Sequence, residues 1–174
     1  MERPLTKNID LNRPPLNLKE YEKLGGYAAV RKVLKGMTPA EVQKLVQESN
    51  LKGRGGAGFN TGLKWSFVPM GENAPHPKYI IANADEMEPG TFKDRLLLEG
   101  DPHELIEGMI LSAYAIQADI SYIFLRWAYK KAAELLRKSI AEAYEAGYLG
   151  KNIFGSKWSL EMHLHTGVGP LYVW

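Results

Sequence analysis

A loop rich in glycine is the first part of this sequence that could bind a ligand. Residues 53–62 read GRGGAGFNTG, and five of these ten residues are glycine. Because glycine has no Cβ atom, the backbone amides of such a loop can closely approach a phosphate group or a flat ring. Arg54 and Lys64 could add positive charge. The loop is predicted to bind a ligand, and the alternative is a mobile surface loop.

The same loop contains the spacing G-x-G-x-x-G, which is typical of dinucleotide-binding turns. The match begins at Gly53 and ends at Gly58. In those turns the glycines follow a β-strand. Here a helix precedes them, because Thr38, Pro39 and Glu41 together have the pattern of a capped helix start. An ordinary Rossmann turn is therefore not predicted at this position.

Three aromatic residues in or just after the loop offer a second kind of ligand contact. They are Phe59, Trp65 and Phe67. Exposed aromatic rings beside glycines can stack on an adenine or an isoalloxazine ring. The alternative is that one or two of them anchor the loop in the core, and Trp65 is the first candidate for that structural role.

A turn with three carboxylates follows the first predicted strand. Residues 79–82 read YIIA, a short apolar run that predicts a buried strand. It leads into Asp85, Glu86 and Glu88. Open α/β sheets bind ligands at the carboxyl ends of their strands, where carboxylates can accept hydrogen bonds from ribose or ribityl hydroxyls or hold Mg²⁺. The alternative is a solvated acidic turn, balanced by the basic residues that follow.

Two histidines share one face of the last predicted strand, residues 160–166. His163 and His165 are two residues apart, so their side chains point the same way. Such a pair could begin a metal site, but no third ligand is visible in the sequence. We interpret the pair as the polar face of an edge strand, and no metal site is predicted.

The composition narrows the classes of function. The chain has 174 residues, 45% of them hydrophobic, a net charge of +2 and no cysteine. This length fits one domain with its own core. The lack of cysteine excludes a disulfide, a thiolate nucleophile and an all-cysteine iron–sulfur cluster on these residues. The small charge does not indicate nucleic-acid binding, no apolar run approaches the roughly 18 residues of a membrane span, and a soluble cytosolic protein is expected.

Helices and strands must position these residues, and their predicted order is that of an α/β fold. Helices are predicted as two short pieces within 18–36, at 38–50, at 63–68, after Thr91, from Pro102, and at 129–146, with strands at 79–82, 122–125 and 160–166. Alternation of strand and helix predicts a mainly parallel sheet. Residues 1–17 contain three prolines and predict an extended arm before an α/β domain of residues 18–174.

Two long motifs together resemble one protein family. Residues 51–65, LKGRGGAGFNTGLKW, and residues 83–95, NADEMEPGTFKDR, are similar to the two signatures of the NADH-binding flavoprotein of NADH-quinone oxidoreductase, which is the F or 51 kDa subunit of respiratory complex I. Diaphorase subunits of NAD-linked hydrogenases and formate dehydrogenases are related. The resemblance covers about residues 18–169 and implies a Rossmann-like FMN-binding α/β domain, truncated at its C-terminal side.

The resemblance implies a cofactor, a reaction and a set of site residues. It implies FMN as cofactor, NAD(H) as co-substrate, and hydride transfer from NADH to FMN with onward electron transfer through iron–sulfur clusters to quinone. It places Glu88 near the nicotinamide as the catalytic residue. The implied cofactor-binding residues are Gly53, Arg54, Gly55, Gly56, Ala57, Gly58, Phe59, Asn60, Thr61, Gly62, Lys64, Phe67, Asn83, Asp85, Glu86, Gly167 and Gly169.

The resemblance also implies partners and a location. The partners are other subunits of the peripheral arm of complex I, of the 24 kDa type and the large iron–sulfur type. The implied location is cytoplasmic and peripheral to the inner membrane through the complex, without direct membrane insertion or nucleic-acid binding. The 4Fe-4S cluster of the family cannot be ligated by this chain, because it has no cysteine.

Departures from the family pattern favour an alternative. The family has Gly-Glu-Tyr after the second strand, where this chain has Trp127, Ala128 and Tyr129. The family glycine allows close approach of the flavin and the glutamate faces it, so an indole and a methyl group would obstruct the site. Residues 170–174, PLYVW, do not continue the next family motif. The alternative is a truncated, catalytically inactive fragment or paralogue that at most binds a nucleotide or a partner.

Overall fold

The centre of the protein is a parallel sheet of three strands. The computed structural model describes residues 3–54 and 56–167. Strand β1 spans Tyr79–Ala84, β2 spans Ile120–Arg126 and β3 spans Glu161–Gly167, and they pair in the order β1-β2-β3. The three predicted strands and their parallel pairing are confirmed. Because the strands run in one direction, their carboxyl ends lie together at one edge of the sheet.

Helices predicted from the sequence are present, with small changes at their ends. In the described residues they are α1 Leu18–Lys23, α2 Ala28–Gly36, α3 Pro39–Glu48, α4 Thr61–Trp65, α5 Lys93–Gly100, α6 Pro102–Ile116 and α7 Lys130–Glu145. Helix α4 begins earlier than predicted because the side chain of Asn60 accepts the backbone N–H of Leu63 and caps it. None of the helices described is both long and apolar enough to cross a membrane.

The predicted start of α5 is wrong. The sequence predicts Thr91 as the cap of this helix, but the N-cap residue is Phe92, which makes no side-chain cap hydrogen bond. Instead, the carboxylate of Glu86 accepts the backbone N–H groups of Asp94 at 2.9 Å and Arg95 at 3.2 Å. A carboxylate in this place also meets the positive end of the helix dipole. The acidic turn is therefore attached to the first turn of α5.

The long helices pack against one face of the sheet. Helix α6 contacts β1 and β2, and α7 contacts β3. Right-handed connections between strands in this order place both helices on the same side. The side chains beneath them, such as Ile123, Leu125 and Met162, are buried. This layer is the main hydrophobic core.

The opposite face of the sheet is more open than the sequence predicts. The apolar run of β1 predicts burial, yet Tyr79 is 54% exposed and Ile81 is 48% exposed. Side chains of a strand alternate between the two faces. Of the apolar run, Ile80 and Ala82 therefore pack against the core, while Tyr79 and Ile81 point away from it. The described residues cover only one face of β1, and this could not be predicted from a continuous apolar run.

The N-terminal arm contacts the junction of α5 and α6. Residues 4–8 form turns rather than an extended segment. The side-chain amide of Asn8 donates to Oδ2 of Asp101 at 2.7 Å. Ile9 lies so close to Gly100 that a Cβ atom there would be 2.8 Å from its side chain. The division of the chain at residue 17 stays a prediction.

A buried histidine joins the first helices to α6 and α7. His103 has a fully buried side chain whose Nε2 lies 3.1 Å from Oε2 of Glu142. Its Nδ1 lies 2.9 Å from the hydroxyl of Tyr27. A neutral ring satisfies both contacts if Nε2 donates to the carboxylate and Nδ1 accepts from the tyrosine. Burial lowers the pKa of His103 below its ordinary value, and the carboxylate of Glu142 only partly opposes this.

We expect the free energy of unfolding to fall as the pH drops below about 6.5, the ordinary pKa of histidine. The lowered pKa of His103 means that the unfolded chain takes up this proton more readily than the folded chain, so protonation favours unfolding. Urea unfolding at a series of pH values measures the slope. His103→Gln keeps a donor for Glu142 without titrating and should flatten that slope. The exposed His163, replaced by Gln, is the control, and an equal flattening there would contradict the assignment.

Candidate functional site

The acidic turn begins at the carboxyl end of β1, and local contacts hold its first residues in place. Ala84 is buried and ends the strand. The side-chain oxygen of Asn83 accepts the backbone N–H of Asp85 at 3.1 Å, which is the geometry of an Asx turn. Asn83 is exposed and Asp85 is half-buried. The two polar side chains thus lie next to one another where the strand ends.

Asp85 has an unsatisfied hydrogen-bond acceptor. Its Oδ2 atom is buried and has no hydrogen-bond partner among the described residues. A buried acceptor without a partner costs about 1–3 kcal/mol, and folded proteins retain few of them. A hydroxyl or imide N–H from a bound molecule would satisfy it. Both groups are present in FMN, on the ribityl chain and on the isoalloxazine ring, so this side chain fits that cofactor.

Glu86 is committed to contacts within the protein. Its side chain is only 2% exposed. Besides the two amides of α5, its carboxylate accepts the hydroxyl of Tyr129 at 2.9 Å and lies 3.9 Å from the ammonium group of Lys93. Burial alone would raise the pKa of Glu86, but these donors hold it below its ordinary value. These contacts give the carboxylate of Glu86 a structural role, and its predicted contact with the cofactor stays a prediction.

Glu88 lies at the exposed tip of the same turn. Its backbone oxygen accepts the N–H of Thr91 at 3.1 Å, and Gly90 completes the turn with a φ of 78°. That φ belongs to the left-handed region, which glycine adopts without strain. The side chain of Glu88 is exposed. Its catalytic role stays a prediction.

The glycine-rich loop is a closed turn between α3 and α4. Its two ends are joined by an antiparallel bridge of Lys52 with Asn60. Inside that bridge, the N–H of Gly53 donates to the oxygen of Phe59 at 2.9 Å. Asn60 also donates to the backbone oxygen of Gln47 at 3.1 Å. These bonds fix the base of the loop, so the side chain of Asn60 serves the fold. Gly55, also predicted to bind the cofactor, lies outside the described residues.

The glycines of the loop differ in what surrounds them. A Cβ atom added to Gly56 would meet nothing within 4 Å, and one on Gly53 would meet only the oxygen of Phe59 at 3.7 Å. Gly58 has a φ of 65°, in the left-handed region that favours glycine for conformational reasons. Packing among residues 3–54 and 56–167 gives no reason for glycine at positions 53 and 56. Space kept open for a ligand beside the backbone would explain both.

Gly62 has a structural role. A Cβ atom at this position would lie 2.3 Å from the backbone nitrogen of Gln47 and 2.5 Å from its Cα atom. Helices α3 and α4 therefore cross at Gly62 with their backbones almost in contact. Gly62 positions the loop through this close packing, although the sequence places it among the cofactor-binding residues. Thr61 lies at the first position of α4.

The aromatic residues near the loop divide into a core anchor and an exposed pair. Trp65 packs against the main hydrophobic core and against a smaller buried cluster of Val33, Val42 and Ala115, which confirms its expected structural role. Phe59 and Phe67 are 48% and 67% exposed. Their ring centroids are 6.1 Å apart at an angle of 52°, so the two rings contact each other. In this arrangement a ligand ring could stack on the outside of the pair rather than between them. Arg54 and Lys64 are also exposed.

The carboxyl end of β2 carries the departures from the family pattern. The N–H of Trp127 donates to the oxygen of Gly167 at 3.0 Å, which places this residue between the ends of β2 and β3. Its indole is 53% exposed, and the ammonium group of Lys130 lies 3.7 Å from the ring centroid. This is a cation–π contact. The backbone of Trp127 thus lies beside that of Gly167, a predicted flavin contact, whereas Gly169 falls outside the described residues.

The two strand histidines face the open side of the sheet. The ring centroids of His163 and Tyr122 are 5.1 Å apart, and those of His165 and Phe124 are 5.5 Å apart. Across residues 3–54 and 56–167, no cluster of three or more histidine, aspartate or glutamate residues could hold a metal ion. The geometry fits the interpretation of these histidines as a polar strand face.

Comparison with known proteins agrees with the two motifs and with the fold. Residues 46–170 match the Nuo51 FMN-binding domain. The chain belongs to this family. It is 53% identical to the F 2 subunit of NADH-quinone oxidoreductase of Rhizobium meliloti (strain 1021) over 165 residues, which are 95% of this chain and 38% of the relative. The corresponding F subunit of Escherichia coli (strain K12) is 52% identical over 166 residues, covering 95% and 37%.

A solved structure supports the fold of this family member. The chain is similar to one in an NAD⁺-reducing [NiFe]-hydrogenase in the H2-reduced state, with a TM-score of 0.62 and 37% identity. The match covers 78% of this chain and 23% of that chain. The α/β fold of the FMN-binding type, expected from the sequence, is confirmed. The chain spans less than two fifths of the length of the two bacterial relatives.

Two residues that contact the acidic turn were missed by sequence reasoning. Arg126, the last residue of β2, donates from Nη1 to the backbone oxygen of Glu86 at 2.6 Å. Tyr129 donates its hydroxyl to the carboxylate of the same residue. A charged residue that ends an apolar strand is a detectable signal for Arg126. The contact of Tyr129 depends on how two separate turns approach each other, which the sequence does not display.

Proposed function

We propose that this chain binds FMN at the carboxyl edge of its sheet and contributes to the oxidation of NADH. The observation that carries the proposal is the unsatisfied Oδ2 atom of Asp85, which lies in a family signature motif and has no partner in the described protein. Asn83 is adjacent and can supply a second polar contact. Bound FMN would supply the hydride-accepting chemistry, and the protein would supply orientation and electrostatics.

The glycine-rich loop provides the second half of the proposed site. The open space beside Gly53 and Gly56 would admit a phosphate or the edge of a ring, with Arg54 and Lys64 as nearby positive charges. Phe59 and Phe67 offer an exposed aromatic surface for the adenine of NAD(H). We propose that the other predicted loop residues contact the ligand through their backbone; they are Gly55, Ala57, Gly58, Asn60, Thr61 and Gly62.

The remaining roles follow from position along the sheet edge. Glu88, at the exposed tip of the acidic turn, would lie close to the nicotinamide and act on the reaction through its charge. Gly167, at the end of β3, and Gly169 would contact the flavin. Within the fold, Gly167 also has no room for a side chain, because a Cβ atom there would be 2.4 Å from the ring of Phe124. Onward electron transfer would require clusters ligated outside these 174 residues, because they contain no cysteine.

The proposal extends to partners and location by analogy with the relatives, which are named as subunits of NADH-quinone oxidoreductase. We propose that the chain acts with other peripheral-arm subunits, of the 24 kDa type and the large iron–sulfur type. We propose that the chain is located on the cytoplasmic side of the membrane and is connected to the membrane only through such partners.

A flavin titration tests the proposal directly. The purified chain is titrated into FMN, and the quenching of flavin fluorescence gives the dissociation constant. The flavin-loaded protein is then mixed with NADH and ferricyanide, and the reduction of ferricyanide is followed. Saturable binding with NADH-dependent turnover supports the proposal. A protein that binds no flavin at micromolar concentration and shows no turnover would refute it for this chain.

A second candidate function, an inactive nucleotide- or partner-binding fragment, is favoured by Trp127. This indole directly follows β2 and contacts the ammonium of Lys130, at the position where the resemblance implies a glycine followed by a glutamate. If they obstruct the flavin, the double variant Trp127→Gly/Ala128→Glu should bind FMN about tenfold more tightly, or about 1.4 kcal/mol. The same fluorescence titration measures the change, with Lys131→Ala on the exposed face of α7 as control. An unchanged affinity would exclude obstruction by these two residues.

A further inference from the structure

The acidic turn after β1 is tied to the end of β2 and to the turn that follows it by a set of contacts within the protein. Glu86, Arg126 and Tyr129 form this set, which we name the turn clamp. The hydroxyl of Tyr129 donates to Oε2 of Glu86 at 2.9 Å. Nη1 of Arg126 donates to the backbone oxygen of Glu86 at 2.6 Å. Glu86 of the acidic turn is thus held at its backbone by the last residue of β2 and at its side chain by a residue of the turn that follows β2.

The buried carboxylate of Glu86 is held in one orientation by its hydrogen bonds. The side chain of Glu86 is 2% exposed, and its carboxylate accepts three hydrogen bonds, from two amides of α5 and from Tyr129. Hydrogen bonds to a charged group contribute more than those between neutral groups. The guanidinium of Arg95 lies 5.7 Å from the ring centroid of Tyr129, which restrains the ring. The carboxylate therefore has one well-defined orientation.

The turn clamp acts next to the unsatisfied atom. Glu86 directly follows Asp85, whose Oδ2 has no partner in the described chain. An acceptor without its own hydrogen bond is not oriented by any donor, so its position depends on the backbone that carries it. Both ends of that backbone are fixed, by the Asn83 side chain before Asp85 and by the turn clamp after it. A preorganised acceptor binds more tightly than one that must be ordered on binding.

We propose that Tyr129 is a positioning residue for flavin binding, acting through Glu86 to hold the Oδ2 atom of Asp85 in place. The inference rests on the proposed function, since it assumes that Asp85 accepts a hydrogen bond from the flavin. It assigns Glu86 to positioning rather than to direct contact with the cofactor. Because a carboxylate does not bind the phosphate group, the effect concerns the donors that FMN and riboflavin share.

The test is a double-mutant cycle measured by flavin fluorescence. Tyr129→Phe removes the hydroxyl and keeps the ring, and we expect it to weaken FMN and riboflavin binding by about fivefold in the wild-type background. In an Asp85→Ala background the same change should have no effect, because the acceptor it positions is gone. Equal losses in both backgrounds would overturn the proposal, since a general structural effect is additive.

Tyr144→Phe is the matched control for this cycle. The hydroxyl of Tyr144 accepts the backbone N–H of Met162 at 2.8 Å, so the change removes one hydroxyl contact at the opposite end of α7. We expect flavin affinity to stay unchanged in this variant. A fivefold loss here would show that any lost tyrosine hydroxyl perturbs binding, and it would overturn a specific role for Tyr129.

Hydrogen exchange separates failure of the inference from failure of the proposed function. If the wild-type chain binds neither flavin, the proposed function is wrong, and the turn clamp is judged by the amides of Asp94 and Arg95. These amides donate to Glu86, and Tyr129→Phe should make both exchange faster while leaving those of α6 unchanged. Unchanged exchange would overturn the turn clamp whatever the flavin result.

Discussion

Replacing Gly62 by alanine should lower the free energy of unfolding by about 3 kcal/mol. The added Cβ atom would lie 2.3 Å from the backbone nitrogen of Gln47, and a backbone atom in a helix cannot move away as the end of a flexible side chain can. Helices α3 and α4 would have to separate, which would disturb Trp65 and the hydrophobic contacts around it. Urea unfolding followed by tryptophan fluorescence measures the loss.

Gly56→Ala is the matched control for this prediction, because it makes the same change in the same loop. A Cβ atom at Gly56 meets nothing within 4 Å, so stability should stay within about 0.5 kcal/mol of the wild type. If the open space admits a ligand, this variant should instead lose flavin affinity. The assignment of Gly62 to packing would be contradicted if both variants were equally stable.

The two glycines show what a motif can and cannot reveal. From the sequence, all five glycines of the loop have the same interpretation, because each lacks a Cβ atom. The structure separates them by their neighbours: Gly62 packs on the backbone of α3, while Gly53 and Gly56 border open space. That distinction depends on a contact between two helices, which local sequence does not specify.

The elements of the fold were more predictable than the contacts between turns. Capping signals such as Thr38 with Glu41 act within one helix turn, so the sequence shows them directly, and this capping box is present. The cap of α5 was missed because its donors and acceptor belong to different turns, with Glu86 replacing the expected Thr91. Two carboxylates of one acidic turn therefore differ: Glu86 has a structural role, and Asp85 has an acceptor atom without a hydrogen bond.

The exposed face of the sheet was missed for a related reason. A strand that is apolar along its length predicts that both faces will be covered, and β1 has that pattern. In the described residues, helices cover the face of Ile80 and Ala82, while Tyr79 and Ile81 are about half exposed. An apolar run predicts that side chains are buried, but it does not show which residues cover each face of the strand.

Asp85→Ala should change stability and flavin affinity in opposite directions. Removing the carboxylate removes a buried acceptor with no partner in the described protein, so the free energy of unfolding without flavin should rise by about 1 kcal/mol. If the same atom accepts a hydrogen bond from FMN, the affinity should fall by about tenfold to a hundredfold, which corresponds to about 1.5–3 kcal/mol.

This opposition distinguishes a binding residue from a structural one, because a structural carboxylate would lose stability when removed. Urea unfolding without ligand and fluorescence titration with FMN measure the two effects on the same protein preparation. Glu72→Ala, in the exposed loop after α4, removes the same charge and should change neither quantity. If Asp85→Ala lowers stability and leaves flavin affinity intact, Asp85 belongs to the scaffold and the proposed site lacks its central acceptor. If Asp85→Ala raises the free energy of unfolding and abolishes flavin binding, Asp85 is a binding residue. The cost of its unsatisfied Oδ2 atom in the free protein is then offset by a hydrogen bond from the bound flavin.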